Sequence, residues 1–311
     1  MRVLVTGSSG FIGSRTLSGL SERNIPNLSI LRKPPKDDKD SVALDLLDFP
    51  NGAISKIVGD QECTHLLHIA SALDRQSPER YQSWLDTSKR LVKEFFDAGG
   101  TRAVIVGSAN EAHSDSLTPN TRTPENIFSL GDFPSSTLYG QYKLDLLRWM
   151  AEKHDESTWA WARPFQVFGP NEVNNRLTKI VMNAFQNGQS PELRSNQQIV
   201  RDFVSVGDVA RGLATLTEDD SLTGQFNLAT GVETSFKDYI GLLADEFNFS
   251  RDQIKLPDAK SPDPAYMVAD PQLRLSEETD WRPTDLKQAI RETVREFQQS
   301  LEKQLVASGS L

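Results

Sequence analysis

A single cysteine, Cys63, stands among the 311 residues, so no disulfide can close within the chain and the cytoplasm is the expected setting. No apolar run approaches the length of a bilayer crossing, and no secretory h-region is recognisable, so neither membrane insertion nor export is expected. Positive charge is in deficit: 34 Lys and Arg against 43 Asp and Glu leave a net charge of −9, which excludes a general binder of nucleic-acid backbones. Any anionic small ligand must therefore meet a local basic patch. The four histidines, His65, His68, His113 and His154, show no spacing with acidic or cysteine partners that a metal site needs, and they read as structural or surface groups; no metal is expected. Repeats and low-complexity tracts are also lacking. What remains, 37% apolar and 25% charged residues, is enough for one large α/β unit with a smaller lobe.

Apolar segments alternate with helical patterns through the first half of the chain. Val3 to Thr6, Leu28 to Leu31, Val42 to Leu44, His65 to Ala70 and Ala103 to Val106 read as strands. Helices are expected after Gly10, over Tyr81 to Ala98 and from Tyr139 to about His154, with a further strand around Trp159 to Ala162. This βαβ order implies a doubly wound parallel sheet of Rossmann type, covered by helices on both faces. The polar, Pro-bearing stretch from Ser114 to Thr137 is long enough that function or disorder is expected of it. Beyond residue 168 the alternation weakens. Residues 1–168 are expected to bind a dinucleotide and 169–311 to form mainly a substrate-binding lobe, with about 204–230 returning to the first unit. Ser235 and Asp238 have capping-box spacing ahead of a helix over Tyr239 to Phe247, and "SPDPAYMVADP" at 261–271 reads as an irregular connector. Leu286, Ile290, Val294, Phe297, Leu301 and Leu305 make one stripe at spacings of three and four, read as packing of a C-terminal helix.

The stretch "VLVTGSSGFIGSRTLSGL" at 3–20 puts Gly7, Gly10 and Gly13 between a strand and a helix. Without Cβ atoms the backbone turns sharply, a pyrophosphate approaches the helix N-terminus, and the helix sits close to the sheet. By itself the triplet also fits a tight βα turn with no ligand. The interval is Gly-x-x-Gly-x-x-Gly rather than Gly-x-Gly-x-x-Gly, which points to a subfamily of dinucleotide binders.

Four further motifs follow in order: "VIVGSANEA" at 104–112, "YGQYK" at 139–143, "ARPFQVFGP" at 162–170 and "RDFVSVGDVARG" at 201–212. With the glycine stretch they make the whole chain resemble the extended short-chain dehydrogenases/reductases, in the NAD(P)-dependent epimerase/dehydratase group, whose best-known members act on nucleotide-diphosphate sugars. The resemblance implies that the turn, with Phe11 and Ile12 between its glycines, seats the cofactor. It implies the same of Asp45 and Leu46 near the adenine, Ala70 at the end of the fourth strand, and Pro164. Ser108, Tyr139 and Lys143 match the catalytic trio: a serine bonding the substrate oxygen, a tyrosine exchanging a proton with it, and a lysine that also binds ribose hydroxyls. Tyr139 and Lys143 lie four apart on an expected helix, so their side chains share a face, and a nearby ammonium draws a phenol pKa down from about 10 toward working pH.

Cofactor choice turns on "SILRKPPKDD", where Arg32 and Lys33 stand at the end of the second strand in place of the acid that accepts from a ribose 2′-hydroxyl. A guanidinium there pairs with a 2′-phosphate, so NADP is expected; NAD stays open if Asp37 or Asp38 curls back to the ribose. The resemblance further implies substrate contacts from Gln166, Asn175, Arg176 and Arg201, with Arg201 as the diphosphate partner, although Gln166 replaces the family's usual Asn and Trp84 stands near another. Ala109 and Asn110 occupy the places of the Asp–Glu pair of 4,6-dehydratases, which disfavours dehydration. The expected function is NADP-dependent reduction of a keto group on a nucleotide-diphosphate sugar. NAD-dependent 4-epimerisation, reduction of a small non-sugar carbonyl and a non-catalytic NADP sensor stay as alternatives. Family members commonly dimerise through two helices, here the one with Trp84 and the one with Tyr139, so a homodimer is expected, with Leu144, Leu147, Trp149 and Met150 as a face or as core.

Overall fold

The computed structural model describes residues 1–71, 77–193, 198–257 and 264–307. The first half contains β1 (Val3–Thr6), α1 (Phe11–Glu22), β2 (Asn27–Leu31), β3 (Ser41–Ala43), α2 (Ala53–Asp60), β4 (His65–His68), α3 (Pro78–Asp97), β5 (Arg102–Val106), α4 (Leu138–Lys153) and β6 (Trp159–Pro164). The second half contains β7 (Gln166–Phe168), α5 (Leu177–Gln186), β8 (Val200–Arg201), β9 (Phe203–Ser205), α6 (Val206–Glu218) and β10 (Gly224–Leu228). It closes with β11 (Thr234–Ser235), α7 (Phe236–Glu246), β12 (Tyr266–Met267), α8 (Arg274–Glu278) and α9 (Leu286–Ala307).

Seven strands form one sheet in the order β10-β6-β5-β4-β1-β2-β3, every neighbouring pair parallel. Both faces are covered, which explains why β1, β5 and β6 are mainly apolar and buried along their whole length. Val3, Val5, Val104 and Val106 point into a core shared with α6, whereas Leu4, Ala103, Ile105, Trp159 and Trp161 point into the core under α3 and α4. The order reverses on either side of β1, and such a switch point opens a crevice at the carboxyl ends of the strands.

A third core fills the other lobe. Phe168, Met182, Phe185, Phe203, Tyr239, Ile290 and Phe297 meet between α5, α7 and α9, and the Phe203 and Tyr239 rings stack with centroids 3.7 Å apart. On α9, Ile290, Val294 and Phe297 are buried and Leu301 packs against them; the Leu305 side chain and residues 308–311 lie outside the described residues. Connector residues 261–263 do as well. Meanwhile α6 packs against α1, and β10 joins the edge of the seven-stranded sheet beside β6.

Local chemistry moved several expected boundaries. The Ser77 hydroxyl caps α3 by accepting from Arg80 N at 3.3 Å, with Pro78 in the first turn, so the helix starts ahead of Tyr81. Ser235 caps α7 in the same way, which places Phe236 inside the helix. β4 ends at His68, two residues early, because Ala70 N turns to the Thr6 hydroxyl at 3.2 Å. The stretch from 114 to 137 is ordered: Thr123 bridges Ala269, and Arg122 donates to the carbonyls of Gly231 and Ala269 at 3.0 and 2.9 Å.

Candidate active site

A groove of about 710 Å³ runs over the carboxyl ends of β1, β2, β4, β5 and β6. At one end lies the glycine turn. Gly7 has φ +73, and a Cβ there would stand 2.5 Å from Ala70 N; a Cβ on Gly13 would stand 2.1 Å from the Gly7 carbonyl oxygen. Only glycine fits either place, which brings α1 hard against the sheet. Gly10 is the N-cap of α1 and no side chain caps that end, so backbone N–H groups of the first turn face the groove available to an anion. Ser71 also lines the groove, and its buried hydroxyl oxygen has no hydrogen-bond partner among the described residues. A cradle closed to Cβ atoms, an uncapped helix start and an orphaned hydroxyl fit a dinucleotide pyrophosphate.

Beyond the turn, Arg32 lines the groove and is exposed, and Asp45 lines it with its Oδ1 accepting from Leu47 N at 3.0 Å. Lys33 is exposed and not among the lining residues. Neither Asp37 nor Asp38 lines the groove, and Asp38 Oδ1 accepts instead from Asp40 N at 3.0 Å.

Ser108, Tyr139 and Lys143 line the middle of the same groove. Ser108 follows β5 and heads a short 3-10 turn over Ala109–Ala112; its backbone N–H donates to Glu111 Oε2 at 3.0 Å. Its hydroxyl oxygen accepts from Asn110 N and Asn110 Nδ2, both at 3.3 Å, which leaves the hydroxyl proton to be donated elsewhere. Below it, Glu111 is 0% exposed and its Oε1 accepts from Trp161 Nε1 at 2.7 Å and Arg163 Nε at 2.6 Å. Arg163 continues the network to Asn227 Oδ1 and Gln225 Oε1, both at 2.8 Å.

Thr137 caps α4 by accepting from Gly140 N at 2.9 Å, which sets Tyr139 in the first turn, half-buried, its ring about 6 Å from those of Tyr81 and Tyr142. Lys143, one turn on, is buried and donates from Nζ to the Val106 carbonyl at 2.7 Å. Burial is the largest single influence and pulls this ammonium down, but Tyr142, Tyr139 and Glu111 together push its pKa above the ordinary lysine value. His68 lies under the same wall, held by Thr6 Oγ1 at 2.7 Å and Ser88 Oγ at 3.0 Å. Burial, helped by the Lys143 charge, lowers its pKa to about 3, so it stays neutral.

Of the expected substrate contacts, Gln166 and Arg176 line the far end, with Phe165, Val167, Glu172, Val173 and Met267. Asn175 is exposed and outside the lining. Arg201 is also outside it: the side chain is buried, donating to the carbonyls of Val200 at 2.8 Å and Pro264 at 2.6 Å. Cys63 is buried in the core, away from the groove.

Residues 3–229 match the model of a family described as the NAD dependent epimerase/dehydratase family. The chain belongs to that family. Among curated epimerase/dehydratase relatives, the ADP-L-glycero-D-manno-heptose-6-epimerase of Thiobacillus denitrificans is 27% identical, with 76% of this chain and 75% of the relative covered. The fold matches UDP-glucose 4-epimerase from Thermotoga maritima, solved with UDP-glucose, at TM-score 0.81 and 19% identity over 97% of this chain and 100% of that one. It matches dTDP-glucose 4,6-dehydratase from Bacillus anthracis, solved with NAD, at TM-score 0.81 and 16% identity over 97% and 98%.

Around this groove, two carboxylates escaped sequence reasoning. Glu111 carried a signal, because Ser108-x-x-Glu111 has capping-box spacing, and both reciprocal bonds of that box form. Glu172 carried none.

Proposed function

We propose that this family member is an NADP-dependent oxidoreductase that reduces a keto group of a nucleotide-diphosphate sugar, with Tyr139 donating the proton. The observation that carries the reading is the single groove that joins the glycine turn and Arg32 to Ser108, Tyr139 and Lys143, and then to Gln166 and Arg176. In this reading the unit built on the parallel sheet holds the dinucleotide, residues 169–311 contribute mainly to the substrate side with 204–230 returning to the sheet, and the working form is a homodimer.

The chemistry that a bound dihydronicotinamide supplies there is hydride donation. Gly7, Gly10, Phe11, Ile12 and Gly13 would hold its pyrophosphate at the α1 N-terminus, and Asp45, Leu46, Ala70 and Pro164 would flank it. Arg32 would pair with a 2′-phosphate, since neither Asp37 nor Asp38, acids that follow β2, lines the groove. Ser108 donates its free proton to the substrate carbonyl oxygen, and Tyr139 delivers the proton that turns this oxygen into a hydroxyl. Lys143 remains an ammonium beneath them, its raised pKa keeping the charge that steadies the phenolate left behind.

Two observations keep other readings in view. Several relatives are epimerases by name, and a 4-epimerase needs the same trio but consumes no cofactor. Arg201 does not line the groove whereas Arg176 does, so in this reading Arg176 takes the place of the diphosphate partner; a small uncharged carbonyl substrate would need neither.

The deciding experiment follows dinucleotide consumption against nucleotide-linked keto-sugars. Stoichiometric NADPH oxidation is expected, and Tyr139→Phe should lower turnover by about 10²–10⁴-fold while NADPH binding is kept. Unchanged turnover in that variant would remove Tyr139 from its role. Interconversion of sugars without net NADPH loss would select the epimerase.

A further inference from the structure

Past Gly169 and Pro170 the chain turns Glu172 inward at the start of α5. The residue is 6% exposed and lines the groove beside Gln166, Val173 and Arg176. One side of its carboxyl is built into the lobe, where the Thr178 hydroxyl and the Lys179 backbone N–H donate to it. Thr178 pairs in turn with the Tyr239 hydroxyl at 3.0 Å, and Tyr239 is fully buried. The other oxygen, Oε2, is buried and has no hydrogen-bond partner among the described residues.

Holding the end of α5 does not require that second oxygen. A Ser or Thr in the capping position satisfies a helix N-terminus with one acceptor, whereas a buried acceptor left unmet is destabilising. The cost is recovered if something in the groove donates to it. A pyrophosphate cannot serve the ionised carboxylate, which prevails above the value of about 7 to which burial lifts this group against Thr178, Arg176 and Lys179, because a pyrophosphate brings only acceptors and like charge. A hydroxyl can.

We infer that Glu172 is a specificity-determining residue of the groove, its Oε2 accepting a hydrogen bond from a hydroxyl of the nucleotide-sugar. The inference rests on the nucleotide-sugar reading given above. Arg176, four residues on and lining the same end, offers the complementary contact, donors for phosphate oxygens. Carboxylate and guanidinium side by side sort a ligand that is polyol at one point and anion at the next. The hydroxyl belongs either to the sugar ring or to the nucleotide ribose.

The test is calorimetric titration at saturating NADPH, with the glucose conjugates of UDP, dTDP, GDP and CDP and their free diphosphates as probes. Glu172→Gln keeps a carbonyl acceptor for α5. At pH 8, above the value of about 7 to which burial lifts the Glu172 carboxyl, it should bind the best conjugate about 10–100-fold more weakly than wild type, the range of a hydrogen bond to a charged acceptor, with NADPH affinity and Tm unchanged. A loss confined to the conjugate assigns the sugar hydroxyl, and a loss shared by the free diphosphate assigns the ribose. Thr178→Val removes a helix-side bond without touching Oε2, so it should leave conjugate affinity as in wild type. Equal affinity of Glu172→Gln and wild type overturns the inference, as does a loss in Thr178→Val as large as in Glu172→Gln, which would place the effect in α5. If wild type binds NADPH but none of the probes, the nucleotide-sugar reading falls and this inference with it.

Discussion

At the scale of single residues, the groove is decided by where charges are anchored. Arg32 is exposed and lines the groove, and neither Asp37 nor Asp38 lines it, so its guanidinium is available to a 2′-phosphate. Arg32→Ala should therefore raise the KM for NADPH by about 10–100-fold, the range of a charge-assisted contact, and leave that for NADH unchanged. Steady-state kinetics with both dinucleotides checks this; an equal loss for both would mean that Arg32 reads a group common to them. Glu111 belongs to the opposite class. Its carboxylate and the Arg163 guanidinium are both 0% exposed and 2.6 Å apart, and the same carboxylate holds Ser108 N. Glu111→Ala would strand a buried cation, and the expected loss is about 3–5 kcal/mol of stability, read as a lower midpoint in urea unfolding. A change within experimental scatter would mean that Arg163 finds other acceptors. Ser108, Tyr139 and Lys143 were legible as a group through the ordered motifs and the family they resemble, since a Tyr-x-x-x-Lys pair alone is an ordinary helix surface, and all three line one groove. Glu172 was not, because its importance comes from burial and from a missing partner, neither of which a string of letters records.

At the scale of elements, strands buried on both faces announce themselves: β1, β5 and β6 are mainly apolar runs and were legible to within a residue or two. The short strands β8, β11 and β12, two residues each, were not, since they exist only through pairing across as many as 66 residues, as Tyr266 pairs with Val200. The stretch from 114 to 137 illustrates the same limit. It reads as polar and loose, yet Glu125 fastens it to the second half by accepting from Arg274 N at 2.9 Å and from Asn227 N. Burial, the dominant influence, lifts the Glu125 carboxyl to about 7 against the backbone donors and arginines that lower it. A carboxyl whose folded pKa is raised keeps its proton longer in the folded state than in the unfolded one. Its stabilising contribution is full below the unfolded value of about 4.5 and is lost as pH rises through about 7. Glu125→Gln mimics the protonated group at every pH. The Tm of wild type relative to Glu125→Gln should therefore fall between about pH 5 and pH 8, and a constant difference would show that Glu125 does not titrate in that window.

At the scale of the whole molecule, one all-parallel sheet gathers the ends of β1, β2, β4, β5 and β6 on one edge, and that is why residues as far apart in sequence as Gly7 and Arg176 line one groove. The same packing bears on assembly. Leu144, Leu147 and Met150, offered by the sequence as a dimer face or as core, are at most 1% exposed inside a single chain, and Trp149 packs edge-on against His154, so α4 turns its apolar side inward. What α3 presents outward is polar: Gln82, Ser83, Asp86, Lys93 and Asp97 are exposed. A homodimer through these helices would have to pair charged and amide side chains across its contact, and such contacts weaken as the screening length shrinks from about 10 Å at 0.1 M salt to about 3 Å at 1 M. Sedimentation velocity should accordingly show the dimer fraction falling between those two salt concentrations. A dimer that persists undiminished at high salt would place the interface on another, apolar surface and remove α3 and α4 from it.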